Sequence, residues 1–297
     1  MIDSVLGYLK EGDIEYKENV KMSAITSVGI GGTARIVAAP SSVEKLASLC
    51  RFLRKCNIKH KIIGRMTNLL PPDEGYDGAL ISTARLNRVS FDGNVITAYA
   101  GVPLPLLAYK AAVLSRGGLS QLSGIPGSLG GAITGNAGAY GREIGDLVRS
   151  ADVLDLNENE IITLDRDELD FQYRKSFLKN GRFCLLSAKL MTVDSDKDAE
   201  TRLIDFYRKK RLAAQPSLPS LGSVFKRCHT VSASRLIDEC GLKGLSVGGA
   251  SVSLKHAGFI VNNGGARAED YKALIRIIKN KVLERFGVTL EEEVEFL

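Results

Sequence analysis

The stretch Gly124–Gly141, GIPGSLGGAITGNAGAYG, holds seven glycines, one proline and no charged residue. Glycine inside an ordinary helix or strand costs roughly 0.5–1 kcal/mol relative to alanine, so this density needs a physical reason. A flexible linker is excluded because Ile125 and Leu129 interrupt the small residues and Pro126 stiffens the entry. A membrane span is excluded because the glycines, serines and Asn136 are too polar for a lipid-facing helix. The stretch therefore predicts a packed wall whose backbone N–H groups can hold an anionic ligand.

The bulk composition describes an ordinary globular chain. Its 297 residues are 44% hydrophobic and 25% charged, enough for one large domain or two to three modest ones. The net charge of +6 favours anionic partners. Nucleic acid is not expected, because the basic run Arg208–Arg211 lies in a helix-like segment of alternating charge and no nucleic-acid motif accompanies it. A small, multiply charged ligand fits the modest excess better.

Cysteines, histidines and the first residues indicate the cellular setting. The five cysteines are scattered, odd in number and without CxxC spacing, so they indicate reduced thiols in a cytoplasmic protein. His60, His229 and His256 are equally dispersed, and no metal site is expected. Residues 1–20 carry acidic residues early and lack a long apolar run, so neither a secretory signal nor membrane insertion is predicted.

The remaining sequence mixes helical and strand patterns. Apolar spacing predicts helices at 41–56, 103–118, 198–216, 232–241 and 268–287. Short apolar runs predict strands at 60–64, 79–83, 94–101, 151–156, 160–164, 182–193 and 258–262, of which 94–101 is rich in β-branched residues. Residues 65–78 are predicted as a polar loop, and the acidic segment Asp194–Glu200 as a domain boundary. Because the elements lack strict βαβ alternation, the α+β class is favoured.

Two short glycine motifs precede the wall. Gly29–Ala34, GIGGTA, nearly fits a dinucleotide fingerprint, but a β-branched segment ending in Pro40 follows it and offers no helix N-terminus to a pyrophosphate. Gly64–Leu70, GRMTNLL, follows an apolar strand, and its N–H groups with Thr67 and Asn68 could hold phosphate oxygens. An ordinary strand-to-loop turn explains the second motif equally well when it is taken alone.

Eight motifs together resemble the UDP-N-acetylenolpyruvoylglucosamine reductases in order and approximate spacing: TSVGIGG, GRMTNLL, GIPGSLGGAITGNAGAYG, FQYRKS, GSVFK, RLIDECGLKG, KHAGFIVN and LEEEVEF. The resemblance covers residues 20–297. It implies an α+β fold with a two-part FAD-binding domain of the vanillyl-alcohol-oxidase type, at 1–85 and 86–197. A C-terminal α+β substrate-binding domain would follow at 198–297, with its last strand returning to the active site.

The resemblance also implies the activity. This is the NADPH-dependent reduction of UDP-N-acetylglucosamine enolpyruvate to UDP-N-acetylmuramate through FAD, in the synthesis of bacterial peptidoglycan precursors. The implied partner is the small-molecule UDP-sugar enolpyruvyl ether, with no nucleic acid and no obligate protein partner. The compact segment 193–297 leaves no room for the tyrosine loop inserted in some relatives, so the chain resembles the shorter form.

Site residues follow from the resemblance, position by position. FAD is expected to bind one loop and one wall, formed by Gly64, Arg65, Thr67, Asn68 and Leu69 and by Gly124, Ile125, Pro126, Gly127, Ser128, Gly131, Asn136, Ala137, Gly138 and Ala139. The substrate is expected to bind Tyr173, Arg174 and Lys226. The expected catalytic residues are Arg174, which faces the enolpyruvyl carboxylate, Ser223, which donates a proton, and Glu293.

Each of these residues also has a simpler interpretation when it stands alone. An arginine such as Arg174 is more often part of a structural ion pair, and Ser223 fits an ordinary turn. No histidine and aspartate arrangement accompanies Ser223, so hydrolase chemistry is unsupported. For Glu291 and Glu292, neighbours of Glu293, a solvated acidic tail is favoured.

Two positions depart from the family pattern. Met66 stands where the family usually has glycine, which bears on the conformation of the first cofactor loop. Glu292 stands where many relatives have proline. Two other functions remain open at this point: a different oxidoreductase on the same FAD scaffold, and a nucleotide-sensing protein without activity. The reductase is favoured because both cofactor segments and all three catalytic positions are filled.

Overall fold

In this computed structural model, residues 2–228 and 231–297 are described, so His229 lies outside the described residues. The described chain forms two compact units. Unit 1 takes its residues from 1–18, 36–65 and 78–210, and unit 2 from 19–35, 66–77 and 211–297. The predicted division into 1–85, 86–197 and 198–297 stays a prediction.

Seven helices lie in the described residues: α1 Ile2–Glu11, α2 Val43–Lys55, α3 Leu104–Val113, α4 Leu129–Thr134, α5 Lys197–Ala214, α6 Ala233–Glu239 and α7 Ala268–Phe286. Their ends follow local chemistry. The Ser42 side chain accepts from the N–H of Lys45 and caps α2. Pro103 precedes α3, and Gly287, at φ +67°, ends α7 in the left-handed conformation that glycine adopts readily.

The strands of the described residues are short, and many have only two or three residues. They are β1 Glu15–Lys21, β2 Thr33–Ala39, β3 His60–Ile63, β4 Leu69–Leu70, β5 Tyr76–Ser82, β6 Val89–Asp92, β7 Val95–Tyr99, β8 Arg116–Gly117, β9 Gly138–Ala139, β10 Arg142–Glu143, β11 Val148–Asp155, β12 Glu160–Asp165, β13 Phe183–Met191, β14 Val193–Asp194, β15 Ser246–Val247, β16 Ala250–Val252, β17 Ile260–Asn262 and β18 Glu295–Phe296. Helices and strands are thus mixed as predicted.

The largest sheet of unit 1 is fully antiparallel, with strand order β12-β11-β13-β7-β6. Leucines, isoleucines and alanines of this sheet, of α3 and of the glycine-rich stretch form one continuous core. A separate four-stranded sheet has the order β1-β2-β5-β3, in which β3 and β5 run parallel. The second core of unit 1 joins α1 and α2 to residues of β2, β5 and β13. Unit 1 therefore has two cores.

Unit 2 is built around α7 and the antiparallel sheet β15-β16-β17. The buried face of α7 carries Tyr271, Leu274, Ile275, Ile278 and Val282, at the spacing of one helix face. They pack with residues of α6 and β16 in a single core. In the same unit β18 pairs in parallel with β4, Glu295 opposite Leu69.

One expectation for the loops differs from the structure. Residues 65–78, predicted as a loop, contain β4 and the first residues of β5, because β4 finds a partner only in the distant β18. The segment Asp194–Glu200 contains the first residues of α5, which begins at Lys197, and the domain boundary predicted there stays a prediction. Gly29–Ala34 does lead into the strand β2, as predicted, and not into a helix.

Candidate functional site

The glycine-rich stretch is a packed wall of unit 1. Its apolar residues Leu129 and Ile133 are fully buried, and α4 forms part of it. The N–H of Gly130 donates to the carbonyl of Ala100 over 2.8 Å. A Cβ on Gly130 would lie 3.1 Å from that same oxygen. The missing side chain therefore lets main chain pack against main chain.

Two of the predicted cofactor segments meet within unit 1. A Cβ on Gly64 would lie 2.5 Å from the Oγ of Ser128, and a Cβ on Gly131 would lie 3.8 Å from the same hydroxyl. A side chain at Gly64 would overlap the buried Ser128 hydroxyl, so the two segments lie in contact. Gly131 and Gly135 of the same wall have more room, because an added Cβ there would meet only ordinary contacts at 3.8 and 3.5 Å. Bare backbone of this kind fits a cofactor with phosphate groups, such as FAD, because exposed backbone N–H groups bind phosphate oxygens.

Most other predicted cofactor residues are half-buried, so a ligand can still reach their backbones. They are Gly124, Ile125, Gly127, Ala137, Gly138 and Ala139 in unit 1 and Thr67, Asn68 and Leu69 in unit 2. Arg65 and Pro126 are exposed, whereas Ser128 and Asn136 are buried. The exposed guanidinium of Arg65 and the backbone N–H groups of these residues are hydrogen-bond donors suited to an anionic ligand.

Asn136 has a structural task inside the wall. Its Oδ1 accepts from the N–H of Gly145 over 3.0 Å. Its Nδ2 donates to Glu143 Oε2 over 2.8 Å and to the carbonyl of Gln172 over 2.9 Å. Three segments are therefore joined by one buried amide, and a contact of Asn136 with the cofactor would be made by its backbone.

Arg174 and Tyr173 lie beside this wall in unit 1. Arg174 Nη2 donates to the carbonyl of Gly138 over 3.3 Å, and Arg174 Nη1 lies 3.7 Å from Glu143 Oε1. The guanidinium carbon is 4.8 Å from the centre of the Tyr173 ring, a cation–π distance. Arg174 also has φ +56°, a backbone conformation that costs a non-glycine residue free energy. The surrounding contacts thus hold Arg174 in a fixed place.

In unit 2 the C-terminal segment lies against the GRMTNLL motif. Asn68 Nδ2 donates to the backbone carbonyl of Glu293 over 2.9 Å, and Asn68 O accepts from the N–H of Glu295 over 2.9 Å. The pairing of β4 with β18 continues this contact. Asn68 and Glu293, predicted for cofactor and catalysis, are therefore neighbours.

Ser223 is brought to the same place by backbone pairing. The N–H of Glu293 donates to the carbonyl of Val224 over 2.8 Å, and Phe225 pairs with Glu292 in an antiparallel bridge. Ser223 is exposed and precedes this pairing by one residue. The structure thus places Ser223 and Glu293 on adjoining backbone segments.

Lys226 and the acidic residues before Glu293 form ion pairs in unit 2. Lys226 Nζ lies 3.0 Å from Glu291 Oε2, and Lys279 Nζ lies 2.8 Å from Glu292 Oε1. Glu292 is half-buried, and its pair joins the segment to α7. The solvated acidic tail is therefore wrong for Glu292, whose carboxylate meets Lys279 of α7, whereas the Glu291 side chain is 72% exposed and solvated as predicted.

The described residues also bear on metal sites, reactive thiols and membrane-spanning helices. Among residues 2–228 and 231–297, no group of three or more His, Cys, Asp or Glu side chains could hold a metal ion. All five cysteines are free thiols, and burial raises the pKa of Cys50 to about 12. A thiol with so high a pKa is not a nucleophile near neutral pH. Over the same part of the chain, no helix has the length and apolar content to cross a bilayer.

One contact of the candidate site, between Glu143 and Arg174, was missed from the sequence. Glu143 stands just beyond the glycine-rich stretch, where the pattern GREIGD indicates only a turn. The pairing of β9 with β10 places Glu143 opposite Gly138, and thus beside Arg174. Arg174 comes much later in the sequence, so no local pattern signals this contact.

Two family models match the chain. Residues 34–165 match the model of the FAD binding domain, and residues 215–297 match the model of the UDP-N-acetylenolpyruvoylglucosamine reductase, C-terminal domain. The matched ranges include Gly64, Asn68 and the glycine-rich wall in the first case, and Ser223 and Glu293 in the second.

Relatives match over almost the full length. The UDP-N-acetylenolpyruvoylglucosamine reductase of Pseudothermotoga lettingae is 42% identical over 287 residues, 95% of this chain and 97% of the relative. That of Caldicellulosiruptor bescii is 40% identical over 293 residues, 98% and 93% of the two chains. The crystal structure of the reductase from Thermus caldophilus has a TM-score of 0.80 at 34% identity, covering 95% of this chain and 98% of that one. These matches confirm the predicted α+β class and FAD-binding domain.

Proposed function

This chain belongs to the UDP-N-acetylenolpyruvoylglucosamine reductase family, and we propose that Arg174, Ser223 and Glu293 perform its catalysis. The reaction is the reduction of UDP-N-acetylglucosamine enolpyruvate to UDP-N-acetylmuramate with electrons from NADPH, in peptidoglycan precursor synthesis. The observation that carries the assignment is the backbone pairing of Val224 with Glu293 beside Asn68. It supports a proton donor and a carboxyl group acting next to a cofactor loop.

The cofactor segments hold FAD through their main chains. Gly64, Arg65, Thr67, Asn68 and Leu69 with the Gly124–Gly141 wall supply backbone N–H groups and one guanidinium for the phosphates. When bound, FAD accepts two electrons from NADPH and supplies them to the enolpyruvyl double bond. The close contact of Gly64 with Ser128, which brings the two cofactor segments of unit 1 together, supports this role.

Arg174 binds the carboxylate of the enolpyruvyl group. Its guanidinium keeps its charge at all relevant pH values and presents a planar fork that matches a carboxylate. As the double bond accepts electrons, negative charge develops at C2 and spreads into this carboxylate. Arg174 stabilises that charge in place, and the contacts with Gly138 and Tyr173 reduce the reorganisation needed.

Ser223 donates the proton that C2 receives. A serine hydroxyl is a weak acid, so it transfers a proton only when it is aligned with the carbon and the developing charge is held nearby. Glu293, on the backbone segment that adjoins Ser223, shares a proton with the developing negative charge. An unprotonated carboxylate would instead repel that charge. Lys226, with Tyr173, binds the rest of the anionic substrate.

The proposal places the enzyme in the cytoplasm, which its free thiols support. The test uses purified protein. We expect flavin absorption bands and NADPH oxidation that depends on the enolpyruvyl substrate. In D₂O the product should carry solvent deuterium at C2, located by NMR. A colourless protein after mild purification, or NADPH oxidation that ignores the substrate, would contradict the assignment.

A further inference from the structure

Glu143 lies beside the Arg174 guanidinium but outside hydrogen-bond distance. Glu143 Oε1 and Arg174 Nη1 are 3.7 Å apart, with the side chains 35% and 20% exposed. At this distance the two charges attract each other without sharing a hydrogen. We propose that Glu143 is a positioning residue of the reductive reaction, which holds the Arg174 guanidinium in the orientation that binds the substrate carboxylate. The inference rests on the role proposed for Arg174.

The Glu143 carboxylate is itself fixed. Asn136 Nδ2 donates to its Oε2 over 2.8 Å, and Asn136 is only 1% exposed. The same amide is anchored to the N–H of Gly145 and the carbonyl of Gln172. With Oε2 held by a buried amide, Oε1 is the oxygen that faces Arg174. The charge beside the guanidinium therefore has a defined place.

One hairpin supplies two groups that face Arg174, the Gly138 carbonyl and the Glu143 carboxylate. β9 pairs with β10, and Gly138 lies opposite Glu143. The carbonyl of Gly138 accepts from Arg174 Nη2, while Glu143 faces Nη1. A Cβ on Gly138 would come within 2.8 Å of Glu143 Cγ, so the glycine permits this approach. Two acceptors at two nitrogens fix the plane of the guanidinium fork.

Glu143 could instead compete with the substrate for Arg174. The geometry argues against this, since the pair lacks a direct hydrogen bond and Asn136 holds the carboxylate back. Glu143 can therefore stay beside the guanidinium without a hydrogen bond that the substrate carboxylate would have to replace.

The test compares Glu143→Gln with the wild type in the two half-reactions. We expect kcat/KM for the enolpyruvyl substrate to fall about tenfold, the size expected of a partly buried charge pair. Flavin content and flavin reduction by NADPH should stay within about twofold, because Glu143 acts only through Arg174. Glu160→Gln, which removes an exposed carboxylate at the start of β12, is the matched control and should behave as wild type.

A double-mutant cycle separates positioning from a purely structural role. In an Arg174→Ala background, Glu143→Gln should cause almost no further loss, because its target is absent. An equal loss in both backgrounds, or an equal loss in both half-reactions, overturns the proposal. So does an unchanged kcat/KM in the single variant.

The outcome for Arg174→Ala alone separates the role of Glu143 from the role proposed for Arg174. A large loss of substrate reduction in Arg174→Ala beside a normal Glu143→Gln overturns only the role of Glu143. A normal Arg174→Ala overturns the role proposed for Arg174, and the role of Glu143 with it.

Discussion

Met66 stands where the family usually has glycine, and its backbone adopts a conformation typical of glycine. Met66 adopts φ +49°, the left-handed conformation that glycine reaches without strain, and its side chain is 5% exposed. Its carbonyl accepts from the N–H of Ser27. The left-handed conformation costs roughly 1–2 kcal/mol, whereas burial of a methionine side chain stabilises by about 1.5–3 kcal/mol. Burial therefore compensates for the strain, and the loop keeps a glycine-like conformation.

Met66→Gly should consequently destabilise the protein by about 1–2 kcal/mol, since the lost burial and the freer unfolded chain outweigh the relieved strain. Flavin affinity should remain nearly unchanged. Thermal and urea unfolding measure the first effect, and flavin titration the second. Ser115→Gly is the matched control, because Ser115 has φ +57° but only a small, half-buried side chain. A stabilised Met66→Gly variant would contradict this comparison.

At the scale of an element, α7 carries a polar atom that its packing does not satisfy. The hydroxyl of Tyr271 is buried and has no hydrogen-bond partner in the described part of the chain. Burial also raises the pKa of this phenol, as expected for a group removed from water. The ring fills the core of unit 2, so its volume contributes to stability while its hydroxyl does not.

Tyr271→Phe should stabilise the protein by about 1 kcal/mol, because an unsatisfied buried hydroxyl is removed and the ring is kept. Differential scanning calorimetry at pH 7 measures the change in Tm. Tyr109→Phe on α3 is the control, since Tyr109 is exposed and its hydroxyl can meet water. A lower Tm for Tyr271→Phe would show that the hydroxyl has a partner after all.

The antiparallel pair β11 and β13 ends in a charge pair that depends on pH. Arg182 Nε donates to Asp155 Oδ2 over 2.9 Å. The Arg182 hydrogen bond, with the N–H groups of Asn157 and Glu158, lowers the pKa of Asp155 to about 2. A lowered pKa in the folded state means that this stabilisation is complete at pH values above the ordinary 3.8 and is lost as the pH falls through 2.

The wild type should therefore lose stability between pH 4 and pH 2 more steeply than Asp155→Asn, which has no carboxylate to protonate. Urea unfolding at a series of pH values measures the two slopes. Asp77→Asn removes an exposed partner of Arg35 and serves as the control, because such surface pairs contribute little. Parallel slopes for wild type and Asp155→Asn would exclude this contribution.

Elements with a local signal were predictable from the sequence, and elements formed by distant partners were not. The helices α2, α3, α5 and α7 follow from their helical patterns, and β11 and β13 from short apolar runs. β4 has only two residues and forms by pairing with the distant β18, so no local sequence pattern near Leu69 predicts it. The ion pairs of Glu291 and Glu292 were missed for the same reason, since Lys226 and Lys279 are far from them in sequence.

At the scale of the whole molecule, each compact unit contributes residues to the proposed reaction. Unit 1 supplies the glycine wall and Arg174, and unit 2 supplies Asn68, Ser223 and Glu293. The wall could be predicted from composition alone, because only close backbone approach explains so many glycines. The catalytic roles required the family resemblance, since an arginine, a serine and a glutamate carry no chemical signal individually. The positioning contact of Glu143 required the structure.

The most direct test of the proposed reaction measures both half-reactions of Ser223→Ala anaerobically in a stopped-flow instrument. We expect flavin reduction by NADPH to proceed within about twofold of the wild-type rate, while reoxidation by the enolpyruvyl substrate slows by about 10²–10⁴-fold, the usual contribution of a positioned general acid. Ser217→Ala, which removes an exposed serine elsewhere in unit 2, should match the wild type in both steps. Equal losses in the two half-reactions of Ser223→Ala, or normal reoxidation, would contradict Ser223 as the proton donor.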